Sequence, residues 1–379
     1  MTRLYLDPHE ATSQNANIPG LDGIRAISIL MVMLNHSKLQ VPGGLGVTIF
    51  FFLSGFLITS LLLDEYYRNG TIDISKFYLR RFLRLYPPLL AYIAAVVIVL
   101  IVLQGHIDLF GLTAITFYFA NYLYALMLEA GHIESYGIQL WSLSIEEQFY
   151  IVFPPLLLLL LNKRAAIVAV LAGMCLVPLA IRSGIVAVTE PSFYLQYTTA
   201  ATEARFDSIL FGCVTAVAIR EPWGPHFIRV ATRHTTACFA LILLLAAERV
   251  PSQAFLQTLR FTLQDLALVS LLLTAVYTPN FLFAKRLMNH SATLWIAALS
   301  YSLYLWHFAL FKAAQYVLGS VPPVLSYGLG WIASFAVAYA IHVGVERPIV
   351  RLRKHFGSGA HEDIGEQMPF ASAEVSVDR

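Results

Sequence analysis

Charge is what this sequence has least of. Only 13% of its 379 residues are Asp, Glu, Lys or Arg, about half the share of an ordinary soluble domain, so there is too little polar surface to coat a water-facing globule. Cysteine is scarce too: Cys175, Cys213 and Cys238 all lie in apolar runs, with no Cys-x-x-Cys pair among them. That spacing excludes a disulfide framework or a thiolate metal site, and the three thiols read as inert packing groups. The net charge is only +2 and says nothing of partners, since Lys and Arg cluster in loops; no nucleic-acid partner is expected. No cleavable signal peptide is evident, because Met1 to Ile18 is polar and ends at Pro19-Gly20, and the apolar run after it is expected to be a retained helix. No internal repeat, linker or second domain is visible.

What the chain has instead is apolar length, with 58% hydrophobic residues. A bilayer asks a helix for about 20 apolar residues. Spans are expected at Leu21–Leu39, Gly44–Leu63, Pro87–Leu103, Leu143–Leu161, Ala165–Ile181, Ala200–Ile219, Thr235–Ala247, Phe261–Tyr277, Ala292–Leu318 and Leu325–Val345. The fold expected is therefore all-α integral membrane, a single bundle of about ten transmembrane helices.

Basic residues orient it. The tail Arg347–His355 and the loop Tyr66–Tyr86, with Arg68, Lys76, Arg80, Arg81 and Arg84, belong on the cytoplasmic side. The later basic clusters join them there only if the eleventh apolar stretch, Phe110–Leu128, does not cross. It is read as a re-entrant segment, buried in protein where irregular backbone is tolerated. Residues 1–17 then form a cytoplasmic N-terminal segment, 18–353 the transmembrane domain and 354–379 a disordered cytoplasmic tail too poor in apolar groups to fold.

Polar residues inside these spans carry the chemistry. Arg25 and His36 are eleven residues apart, which places them on one helical face about 16 Å apart along the axis. Buried ionisable groups are costly and tend to mark sites, although an Arg near a helix end can snorkel and a His can cap. The run Phe50-Phe-Phe-Leu-Ser54-Gly55 permits close approach of a helix or a ligand. Arg80, Arg81 and Arg84, just before Pro87-Pro88, present a guanidinium cluster suited to phosphate oxygens or to anionic lipid headgroups. Trp141-Ser-Leu-Ser-Ile-Glu146-Glu147-Gln-Phe-Tyr150 opens an apolar helix with two carboxylates, one more than the helix dipole explains. Ser300, Tyr304 and His307 follow i, i+4, i+7 spacing and form a polar stripe, and the last span ends in Glu346-Arg347-Pro348.

These motifs, in this order, closely resemble the membrane acyltransferase-3 family, which includes O-antigen and peptidoglycan O-acetylases and macrolide acylases. The resemblance covers about Ile18 to Arg353. It implies a ten-span bundle in the inner membrane of a bacterium that uses acyl-CoA, commonly acetyl-CoA, from the cytoplasm. It also implies transfer to a hydroxyl of a glycan or related acceptor, with no metal and no permanently bound cofactor. By the same resemblance Arg25 joins His36 at the catalytic centre. Arg80, Arg81, Arg84, Ser54 and Gly55 serve the donor, and Trp141, Tyr150, Tyr304 and His307 serve the substrate. Some relatives carry an extracytoplasmic hydrolase-like domain, and the residues up to Arg379 include none.

The chemistry agrees with the residue types. Transfer from a thioester to an alcohol needs a base, and imidazole is best poised for it. His36 is that candidate, with Glu147 or Glu146 to orient it; an acyl-His36 intermediate is the other possibility. The acceptor is expected among Tyr122, Tyr124, His132, Trp141 and the loop Ser183–Thr199. A secondary transporter is the alternative class, but such folds show related halves and paired broken helices. Arg25/His36 and Glu146/Glu147 have no counterpart in the second half.

Overall fold

A helix satisfies its backbone hydrogen bonds internally and can contact lipid along its sides, and the described residues are built almost wholly from helices. The structure, a computed structural model, describes residues 20–104, 109–126, 137–161, 166–278, 286–319 and 321–350. Among the described residues there are helices and no strands. The helices used below are α1 (Leu21–His36), α2 (Gly43–Asn69), α3 (Ile74–Gln104), α4 (Leu109–Thr116), α5 (Ala120–Ala125), α6 (Trp141–Leu161), α7 (Ile167–Met174), α8 (Leu176–Val188), α9 (Pro191–Ala200), α10 (Thr202–Ala218), α11 (Gly224–Ala231), α12 (His234–Ala247), α13 (Gln253–Gln257), α14 (Leu259–Tyr277), α15 (Ser291–Val317) and α16 (Pro323–Ile341).

Seven of the described spans are long and apolar enough to cross a membrane, and eight if α11 and α12, bent by 65°, count as one. The sequence reading expects ten. The shortfall is in α1 and α10, which have 16 and 17 residues. At 1.5 Å per residue these reach about 24–26 Å, against a hydrocarbon core of about 30 Å. Both pack against several other helices: α1 lies between α2 and α15, and α10 against α2, α8 and α14.

The region expected as a loop from Tyr66 to Tyr86 is helical almost throughout. α2 runs on to Asn69, Gly70 closes it with φ +74°, and α3 restarts at Ile74. The arginine cluster is thus in the first turns of a 31-residue helix that carries Pro87 and Pro88 in its interior. The stretch Phe110–Leu128 divides into α4 and α5, separated by a break at Tyr118, whose φ is +57°. Within the expected loop Ser183–Thr199, α8 extends to Val188 and α9 begins at Pro191. The terminal segments 1–17 and 354–379 lie outside the described residues, as does His132.

The centre of the bundle is the crossing of α2 and α10. A Cβ on Gly55 would overlap the carbonyl oxygen of Ile209, and one on Gly212 would overlap that of Phe52. Two glycines facing opposite backbones let the helices approach without intervening side chains. Facing outward, Ile98, Val102, Ile151, Leu159, Ile242 and Ile332 are exposed, a surface that suits lipid. Cys175 and Cys213 pack inside as expected, whereas Cys238 is exposed on α12.

Candidate active site

Three successive residues at the start of α6 are tied to three different elements, because helical neighbours point about 100° apart. Glu146 accepts a hydrogen bond from Ser54 Oγ of α2 at 3.1 Å. Glu147 accepts two from Arg81 of α3, from Nη2 at 2.8 Å and Nε at 3.0 Å. Gln148 donates to the carbonyl of Tyr118 at 2.7 Å and to Asn121 Oδ1 at 3.0 Å, and accepts from Thr202 of α10. The carboxylates are therefore not redundant. One holds α2, the other α3, and the glutamine holds the α4–α5 break.

The arginine cluster divides in the same way. Arg80 pairs with Glu65 at 3.3 Å. Arg81 is neutralised by Glu147, and its guanidinium carbon stands 3.3 Å from the centroid of the Tyr150 ring. Arg84 makes no ion pair among the described residues. It lines a cavity of about 190 Å³ together with Arg25, Arg81, Ser54, Glu146 and Tyr304. Arg25 itself has only a loose pairing, 3.5 Å from Asp22. This cavity brings together Arg25, Ser54, Arg81, Arg84, Glu146, Tyr150 and Tyr304 from the residues singled out in the sequence. Arg80, Glu147, Gly55 and Trp141 do not line it: Gly55 is spent on the helix crossing, and Trp141 packs edge-on against Phe51.

His36 also stands apart from the cavity lining, and neither Glu146 nor Glu147 is its partner. Its Nδ1 lies 2.8 Å from Nε2 of His307, so the imidazole is oriented by a second imidazole where a carboxylate is expected. Glu146 accepts from Ser54 and Glu147 from Arg81, and neither carboxylate hydrogen-bonds His36. His307 is fully buried on α15, one turn beyond Tyr304. Tyr304 lines the cavity and closes its hydroxyl onto Ser142 Oγ and the Gln139 carbonyl, each at 2.5 Å. The expected stripe of Ser300, Tyr304 and His307 is real, and its members have different neighbours: Ser300 and Tyr304 face the cavity, His307 faces His36.

Two polar groups went unrecognised as a set in the sequence. The first runs from Gln148 through Thr202 to Glu203, whose carboxylate accepts from Tyr122 at 2.7 Å and from Tyr197. The second is a buried quartet on α8, α10 and α14. Arg182 bonds Asp207 at 2.7 Å, Ser208 bonds Asp265 at 3.0 Å, and Arg205 reaches Thr48 of α2 at 3.1 Å. All four charged side chains are at most 1% exposed. The available signal was two arginines and two aspartates in three apolar segments, a balanced count that charges confined to a bilayer require.

Residues 18–343 match the family described as "Acyltransferase domain". The chain is 31% identical over 358 residues to the O-acetyltransferase OatA of Staphylococcus aureus strain NCTC 8325 / PS 47, and equally to that of strain MRSA252. Each alignment covers 88% of this chain and 57% of the relative, so the chain spans little more than half the length of these relatives. No solved structure matches.

Proposed function

The chain belongs to the acyltransferase domain family, and from that membership we propose that it moves an acyl group, acetyl by preference, from acyl-CoA to a hydroxyl of a carbohydrate or related acceptor. The observation that carries this reading is the cavity. Arg84 and Arg25 face it as cations without a tight carboxylate partner, the condition under which a guanidinium is free for phosphate oxygens. Similarity to proteins named O-acetyltransferase supports acetyl as the group and oxygen as the acceptor atom.

Arg84, Arg25 and Arg81 hold the donor side, with Ser54 and Glu146 lining the path of the acyl arm. Tyr304 closes the cavity toward His307 and His36. His36 is the base. Tyr122, Tyr197 and Glu203, an aromatic pair around a carboxylate, are the acceptor's contact group. The domain occupies 18–353 in the inner membrane of a bacterium, with 1–17 and 354–379 cytoplasmic. Ten crossings are reached if the short α1 and α10 span inside the bundle, where a helix need not match the lipid thickness. The segment α4–α5 is re-entrant: Tyr86 on α3 donates to the Thr116 carbonyl at 2.7 Å, well back from the far end of α3 at Gln104.

Purified protein incubated with radiolabelled acetyl-CoA tests the reading. Label should be released as acetate or appear on an added glycan acceptor, and an intact donor after prolonged incubation would exclude it.

A further inference from the structure

We infer that His307 is the positioning residue for His36, and that it fixes which nitrogen of His36 acts. The inference rests on the proposed transferase reading and goes further by assigning the tautomers. Nδ1 of His307 lies 2.8 Å from the Leu303 carbonyl and 2.9 Å from that of Tyr304. Carbonyl oxygens only accept, so the proton of the neutral ring is on Nδ1, shared between the two. Nε2 of His307 is then an acceptor. The nitrogen facing it at 2.8 Å, His36 Nδ1, must be the donor. By elimination, the lone pair of His36 is on Nε2.

The ring geometry agrees. The centroids stand 5.1 Å apart with 17° between the planes, the arrangement of two imidazoles meeting nitrogen to nitrogen nearly edge to edge. Phe308 packs against His36 edge-on at 5.2 Å, and Phe311 against His307 at 5.9 Å. Tyr304 also stands beside His307 with ring centroids 5.9 Å apart, yet its hydroxyl is engaged by Ser142 and Gln139, and among the described residues no further side chain hydrogen-bonds either imidazole. The source of the order is the backbone of α15 itself, since both anchoring carbonyls belong to the turn that carries His307. His36 Nε2 makes no hydrogen bond among the described residues, and the ring is only half-buried.

The step that follows is balanced. The acceptor's O–H proton passes to His36 Nε2 as its oxygen bonds the thioester carbon. The C–S bond then breaks, and the departing thiolate takes the proton back from Nε2, leaving ester and free CoA thiol. His307 touches neither reactant. It stabilises the His36 cation formed between the two transfers by accepting its Nδ1–H.

The experiment compares His307→Ala with His307→Gln, whose amide oxygen can sit where Nε2 was and accept the same hydrogen bond. Loss of the wanted tautomer should lower kcat for acetyl transfer by about 10²–10⁴-fold in His307→Ala, with the KM for acetyl-CoA within about twofold of the parent. His307→Gln should recover most of that loss. Adding His307→Ala to His36→Ala should cost nothing more, because the two act as a unit. A His307→Gln enzyme as slow as His307→Ala, or losses that multiply in the double variant, would overturn the assignment. A parent protein inert toward acetyl-CoA would instead count against the transferase reading, and the tautomers can then be read without it. Diethyl pyrocarbonate attacks only an unprotonated imidazole nitrogen. Mass spectrometry of the treated parent should find His36 modified and His307 intact, and the reverse pattern would sink the proposal.

Discussion

Individual side chains decide what chemistry the bundle can perform, and neighbours in sequence here do different work. Glu146 and Glu147 are the clearest case. Glu147 neutralises a half-buried Arg81, so Glu147→Gln should leave that charge poorly compensated and destabilise the fold by about 1–3 kcal/mol. A thermal-shift assay in detergent would register this. Glu146 faces the cavity with a hydroxyl partner, so Glu146→Gln should keep the parent's melting point while slowing transfer. Equal melting points for the two variants would remove the distinction. The arginines divide likewise. Arg84→Ala should raise the KM for acetyl-CoA about 10- to 100-fold, the worth of a charge-assisted phosphate bond of about 1.5–3 kcal/mol. Arg80→Ala, which loses only a pairing with Glu65, should not. A pantetheine thioester lacking the nucleotide should be used with similar KM by the parent and by Arg84→Ala.

Elements are held by contacts that tolerate little change. The α2–α10 crossing is set by Gly55 and Gly212, each against a carbonyl of the other helix. A leucine at Gly55 would force the backbones apart, and with them Thr48 from Arg205 and Ser54 from Glu146. Gly55→Leu should therefore yield aggregated protein by size-exclusion chromatography, whereas Gly44→Ala at the open end of α2, where a Cβ meets nothing, should elute as the parent does. The quartet on α8, α10 and α14 is a second fastening. Asp207→Asn alone strands Arg182 and should be strongly destabilising. Replacing both partners, Asp207→Leu with Arg182→Met, should recover much of the loss, because a buried pair is worth less than its broken half costs.

On the proposed reading donor and acceptor reach one site from opposite faces of the membrane, so the topology is testable independently of the activity. On a background lacking Cys175, Cys213 and Cys238, single cysteines at Ser192 and Ser252 should react with an impermeant maleimide from outside the cell. A cysteine at Asn69 should react only after permeabilisation. All three positions are exposed in the structure. Labelling of Ser192 only after permeabilisation would reverse the orientation inferred from the basic clusters. It would also place the Tyr122–Tyr197–Glu203 group on the donor's side.

The sequence by itself determined that the protein is helical and resident in a membrane, because apolar length and scarce charge allow nothing else. It also singled out Arg25, His36, the Glu146–Glu147 pair and the cluster Arg80, Arg81 and Arg84, without distinguishing Arg84 from its neighbours. It could not say who faces whom. Three consecutive residues at 146–148 fan out to three helices, and periodicity around one helix carries no information about the rotation of the next. The partner of His36 is 271 residues away on α15, so no local spacing points to it. A carboxylate was the chemically reasonable expectation until Ser54 and Arg81 were seen to hold both candidates. Helix ends were hidden for a related reason. α2 and α3 continue past their apolar runs because Glu65, Arg80, Asp64 and Arg220 pair with one another across elements. Those pairings, like the tautomer order of His36 and His307, exist only once the helices have packed.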